Sequence, residues 1–123
     1  MRIVEMEVNG KKITFVNDSR STRHGFAHDS TMFVNGYHDA KASCHYLNRT
    51  WEWYTYQTSM LSAVRTAMQD LENAIRDGYK YRNNISRIVG DKRKAEVKAL
   101  VDASERMQMY RAVVENLTKH CYS

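Results

Sequence analysis

Two Asn-Gly dipeptides, each set between stretches of alternating apolar and polar residues, constrain the first half of this chain more than any other feature. A two-residue type I′ turn needs positive φ at both central positions, and Asn-Gly adopts it readily. Asn9-Gly10 lies between Val4-Glu5-Met6-Glu7-Val8 and Lys11-Lys12-Ile13-Thr14-Phe15-Val16. A tight turn there sets Glu7 opposite Lys12, Met6 opposite Ile13 and Val4 opposite Phe15. One face then carries Val4, Met6, Ile13 and Phe15, and the same register brings opposite charges together. Asn35-Gly36 repeats the device, joining residues 26–34 to residues 37–47. An unbroken register pairs Phe33 with His38, Thr31 with Ala40, Asp29 with Ala42 and Ala27 with Cys44. The opposite face pairs Val34 with Tyr37, Met32 with Asp39, His28 with Ser43 and Phe26 with His45. Alternation is less regular here, which points to a bulge or a shifted register. The polar run 17–22 reads as the connection between the hairpins.

The second half has helical periodicity, and the chain contains no proline to interrupt it. Met60, Leu61, Val64, Ala67, Met68, Leu71 and Ile75 recur at spacings of three and four. With Thr50 as N-cap and Glu52 in the first turn, they predict a helix over 51–78 that closes near Gly78. Val97, Leu100, Val101, Met107, Tyr110, Val114 and Leu117 predict a last helical segment, with Asp91 as its cap. Between them, residues 79–90 form either a separate helix or an irregular connection. The expected fold is α+β: a four-stranded antiparallel sheet of two β-hairpins, followed by two or three α-helices packed on one face. At 123 residues this is a single domain, 1–123, with a β-hairpin half (1–49) and a helical half (50–123). Met6, Ile13, Phe15, Leu61, Val64, Met68, Leu71, Leu100, Val101 and Leu117 are the expected core.

Charge is unevenly spread. From Arg76 to Lys98 there are eight basic side chains against three acidic ones, an excess of five that equals the net charge of the whole chain, +5. A confined excess makes a local field that holds a polyanion or an acidic protein surface. The expected partner-binding residues are Arg76, Tyr79, Lys80, Tyr81, Arg82, Arg87, Lys92, Arg93, Lys94 and Lys98. Lysine and arginine neutralise phosphates, and the tyrosines at 79 and 81 offer faces for unpaired bases. The alternative is a solvated helix surface.

Other chemistry has less support. His24, His28 and His45 share a sheet face in the unbroken register, with Cys44 on the other, and no compact metal-binding spacing occurs. No phosphate-cradling glycine cluster or nucleophile turn is present, so neither an enzyme nor a cofactor is expected. Trp51, Trp53, Tyr54 and Tyr56 gather at the strand-to-helix junction, as core or as an interface. No apolar run reaches the length of a membrane span, and acids occupy the start where a signal peptide needs apolar residues. The expected location is cytoplasmic, with no membrane partner. Two cysteines do not make a disulfide framework.

Ser21-Thr22-Arg23-His24-Gly25-Phe26-Ala27-His28, then Met32-Phe33-Val34-Asn35-Gly36, then Tyr46-Leu47-Asn48-Arg49-Thr50-Trp51-Glu52-Trp53-Tyr54 resembles small proteins of phages and mobile elements of Gram-positive bacteria. The resemblance covers about residues 21–60, roughly a third of the chain. Some proteins of this kind are anti-CRISPR proteins that inhibit the type II CRISPR effector nuclease. The resemblance therefore implies a non-catalytic inhibitor acting by binding and occlusion in the bacterial host cell during phage infection. Its partner would be the nuclease or its guide RNA complex. A small basic nucleic-acid-binding phage protein with a regulatory or replication role is the alternative. The resemblance brings no functional residues with it, and the basic stretch lies outside it.

Overall fold

In a computed structural model of the protein, which describes residues 1–46 and 52–122, both Asn-Gly pairs adopt the left-handed backbone their turns require. The φ angles are 50° and 76° at Asn9 and Gly10, and 50° and 83° at Asn35 and Gly36. For Tyr46, residues 52–55 and residues 120–122 the description is of the backbone alone. The readings placed on Thr50, Trp51, Trp53 and Tyr54 therefore fall outside what is described.

The elements are β1 (Arg2–Val8), β2 (Lys11–Thr22), β3 (Gly25–Val34), β4 (Tyr37–Tyr46), α1 (Glu52–Arg82), α2 (Asp91–Ala103) and α3 (Glu105–Tyr122). The strands form one antiparallel sheet in the order β1-β2-β3-β4. The first hairpin has the expected register, with Met6 opposite Ile13 and Val4 opposite Phe15. Lys12 reaches diagonally to Glu5, at 3.5 Å, instead of to Glu7 directly across. Asn35 ties the second turn to the start of β2: its N–H donates to the Lys12 carbonyl at 2.8 Å, and its Oδ1 accepts from the Lys12 N–H at 2.9 Å.

Residues 17–22 are strand, not connection. Their polar groups find partners on both faces of the sheet. Inward, Asn17 is fully buried; its Oδ1 accepts from the Ser30 hydroxyl at 2.5 Å, and its Nδ2 lies 3.6 Å from the Met60 sulfur. Outward, Arg20 meets Asp29 at 2.9 Å. Strand extensions of this kind need only satisfied side chains, not apolar ones.

The second hairpin contains a bulge between Met32 and Phe33, opposite the extra residue Asp39. Beyond it every β4 partner moves by one, so Met32 faces Ala40, Ser30 faces Ala42 and His28 faces Cys44. The reason is energetic. An unbroken register would turn Asp39, Lys41 and Ser43 toward α1, and an unpaired buried ammonium is costly. The bulge turns the small side chains of Ala40, Ala42 and Cys44 inward instead.

The main core joins the inner sheet face to α1 and α3, with Ile13, Phe15, Met32, Met60, Val64, Tyr110 and Val113 almost wholly removed from water. A second, smaller cluster holds α2 and the 83–90 connection to the far end of α1: Tyr79, Val97, Val101 and Met107, with Ile75, Ile85 and Ile88 beside them. Met68 and Leu71 border both clusters. Met6, Leu61, Met68 and Leu71 are half-buried, whereas Leu100 is 41% exposed and does not belong to the core. It sits about 100° round α2 from Val101, which points at α1.

Gly78 does not end α1, which runs to Arg82. The stop is Asn84, with φ 52°. The Ile85 N–H donates to the Lys80 carbonyl at 3.0 Å and the Asn84 N–H to the Tyr81 carbonyl at 3.2 Å. This is a Schellman ending, and Ile85 packs back into the cluster that contains Tyr79. The last helical segment is likewise two helices. Gly90, not Asp91, is the N-cap of α2, and no side-chain cap bond forms there. Ser104 leaves the helical conformation (φ −66°, ψ 122°) and caps α3, its Oγ accepting from the Met107 N–H at 3.3 Å.

Candidate binding surface

The basic stretch spans three pieces of structure: the last turns of α1, the 83–90 connection and α2. Most of its side chains face solvent, including Arg76, Arg82, Arg87, Lys92, Lys94 and Lys98. Tyr81 is 88% exposed. Tyr79 is not a contact residue: it is 4% exposed and anchors α2 to α1. Its hydroxyl donates to Glu96 at 2.5 Å. That bond, then burial, pushes the phenol's ionisation upward, while a hydrogen bond from Arg93 works the other way. Arg93 is thereby partly absorbed into the structure. Arg76 is 3.8 Å from Glu72, and Lys80 is 3.4 Å from Asp77. Both are exposed pairs that contribute little to stability.

Val97 and Val101 face α1, so α2 presents its charged residues on two flanks. On one flank a shallow groove is lined by Tyr79, Arg82, Asn83, Glu96, Ala99 and Leu100. On the other, a groove of about 420 Å³ draws Lys94 and Lys98 from α2 together with Arg76 from α1 and Arg111 from α3. Arg111 lies outside the basic stretch and is not legible in it as a member of this surface. Only the break at Ser104, which folds α3 back along α1, brings it there.

A larger groove, about 870 Å³, lies between the hairpin tips and the first turns of α3. It contains a site the sequence does not announce. The Asp39 carboxylate accepts from Arg106 Nη2 at 2.6 Å and from the Tyr110 hydroxyl at 2.5 Å, while Arg106 Nε donates to the Tyr110 oxygen at 2.7 Å. Burial and the hydrogen bond to Asp39 push the Tyr110 phenol up to about 12. Arg106 balances the charge of Asp39 and Tyr110 satisfies its other oxygen, so this trio clamps the bulge to α3. The groove around it is lined by side chains of both signs, among them Lys11 and Glu105.

The histidines separate. His28 faces inward, edge-on to Tyr56 at 4.8 Å between ring centres, and the bulge sets Cys44 opposite it. His45 is exposed and pairs with Ala27 on the other face, and His24 is exposed in the β2–β3 turn. Among the described residues no three His, Cys, Asp or Glu side chains gather as a metal site would require. Burial raises the Cys44 thiol pKa, and a hydrogen bond with Ser62 offsets part of that rise. Among the described residues no helix is long and apolar enough to cross a membrane. No protein-family description, curated protein or solved structure matches this chain.

Proposed function

We propose that this chain is a phage-encoded anti-CRISPR protein. It binds the type II CRISPR effector nuclease or its guide RNA complex and inhibits it by occlusion, without catalysis. The observation that carries the binding half of this reading is the cationic end of the helical layer. Arg82, Arg87, Lys92, Lys94 and Lys98 stand in solvent on a unit held rigid by its own apolar cluster. Charge presented on a fixed frame binds without first ordering itself, which conserves affinity. The choice of partner rests on the resemblance of residues 21–60. The effector complex offers both protein surfaces and a nucleic-acid channel.

The test is co-purification with an assembled guide–nuclease complex, followed by a cleavage assay. The parent chain is expected to be retained and to block cleavage. Changing Arg82, Arg87, Lys94 and Lys98 to Glu should abolish both while leaving the fold intact, since each attraction becomes a repulsion. Retention and inhibition by a folded quadruple variant would sink the reading. The exposed ring of Tyr81 beside Lys80 and Arg82 favours a second reading, a nucleic-acid-binding phage protein. That protein would bind free strands in the absence of the nuclease.

A further inference from the structure

We infer that the α1–α2–α3 groove is a seat for the phosphate backbone of a nucleic-acid strand, and that Arg111 is one of its contacts. The inference rests on reading the basic end of the molecule as its binding surface, and it assigns the work to one flank of α2. Four cations, Arg76, Lys94, Lys98 and Arg111, meet two carboxylates, Glu72 and Asp102, which leaves the groove two charges positive. They come from three helices and surround a concave space, over an apolar floor that includes Val97 and Val101. A low-dielectric floor under cationic walls focuses the field along the groove.

The lining chemistry selects the ligand. Every polar side chain in the groove is charged, and none is a neutral amide or hydroxyl that would read a peptide backbone. Arg76 and Arg111 are half-exposed; Arg111 is braced by a hydrogen bond to Asp102 at 2.8 Å, and Arg76 stands 3.8 Å from Glu72, beyond hydrogen-bond reach. A braced guanidinium keeps its remaining N–H groups in fixed directions, which suits phosphate oxygens. Lys94 and Lys98, one helical turn apart, have no carboxylate within ion-pairing distance among the described residues and supply mobile point charges. The other flank is different: the Tyr79 hydroxyl engages both Glu96 and Arg93, and Leu100 lies open.

The experiment is fluorescence anisotropy of a labelled single-stranded RNA of mixed sequence, titrated with the intact chain over a range of salt. Log affinity should fall linearly with log salt. The double change Lys94→Gln/Lys98→Gln should weaken binding and reduce that slope by about 2, and Arg111→Gln by about 1. Lys11→Gln/Lys41→Gln removes the same net charge from exposed positions on the sheet, outside the basic stretch, and should leave the slope unchanged. Equal effects of the two double variants would overturn the groove assignment, because net charge alone would then suffice. Polyglutamate bound as tightly as the RNA, with the same variant pattern, would overturn the phosphate assignment. If the chain binds the guide–nuclease complex but not RNA, the inference fails while the proposed function stands. If it binds RNA through the groove but not the complex, the proposed function fails while the inference stands.

Discussion

Removing the carboxylate of Asp39 is expected to cost about 2–3 kcal/mol, although the residue sits in an irregular stretch of an edge strand. Its side chain is only 9% exposed and accepts two hydrogen bonds, from Arg106 at 2.6 Å and Tyr110 at 2.5 Å. The two are not equal. The Arg106 side chain is 57% exposed and recovers water when its partner is lost, so that half contributes about 0.2–1 kcal/mol. Tyr110 is 1% exposed, and in Asp39→Ala its O–H keeps no acceptor, a desolvation cost of about 1–3 kcal/mol. Tyr110→Phe should cost less, about 1–2 kcal/mol, because the ion pair between Arg106 and Asp39 survives it. The double variant should fall short of the sum by about 1 kcal/mol, as groups in direct contact do. Equilibrium urea unfolding followed by circular dichroism measures all three. A pH arm tests the same contact. A phenol whose folded value is raised stabilises the fold below its unfolded value, near 10, and loses that contribution as pH climbs through about 12. Asp39→Asn should bring the late-titrating phenolate signal down in pH. A destabilisation by Asp39→Ala under about 0.5 kcal/mol would show that the clamp is surface decoration, and the reasoning from burial would be wrong.

Gly78→Ala should stabilise the protein by about 0.5–1 kcal/mol in the same assay, since Gly78 is inside α1 and the nearest obstacle to a Cβ is the mobile tip of Arg82 at 3.3 Å. Asn84→Ala should cost about 1 kcal/mol, because the Schellman ending needs φ 52° there; loss of helicity at the end of α1 would be seen by amide exchange. Leu71→Ala is expected to cost about 1–2.5 kcal/mol, half the range for a fully buried leucine, because it is half-buried between the two clusters. Leu100→Ala should change stability by less than about 0.5 kcal/mol, and a larger loss would mean that α2 is rotated from the orientation described.

The β half was legible because its signals are local and redundant. Asn9-Gly10 and Asn35-Gly36 name their own turns, and the apolar partners of the first hairpin agree with the turn. The second hairpin needed one fact the dipeptide does not contain, the location of the extra residue. Avoiding a buried Lys41 is a tertiary reason, visible only once it is known which face α1 covers. Gly78 misled because glycine is a common helix stop, whereas here Tyr79 one residue later is needed in the second cluster and draws the helix onward. Asn84 was the available signal. The pair Ser104-Glu105 was another, a cap followed by an acid in the first turn, hidden by the unbroken apolar spacing across it. For the candidate surface, charge density was legible but orientation was not. Sequence adjacency placed Tyr79 beside Tyr81 as an equal, yet one is sealed under α2 and the other stands in water. Arg106 and Tyr110 have no sequence mark that ties them to Asp39, 67 and 71 residues earlier.

The bulge at Asp39 makes β4 a strand governed by parity. Every residue from Ala40 to His45 faces the way it does because the bulge absorbs the one extra residue, Asp39, opposite Met32 and Phe33. Deleting Asp39 alone would remove the bulge and leave Ala40, Ala42 and Cys44 facing α1, with only the clamp lost, whereas deleting His38 with it would exchange the two faces of the rest of the strand and drive Lys41, Ser43 and His45 against α1. Shortening of this edge should therefore be tolerated by one residue and rejected by two. A library of single and double codon deletions across residues 37–42, sorted for folded protein, would show that difference directly.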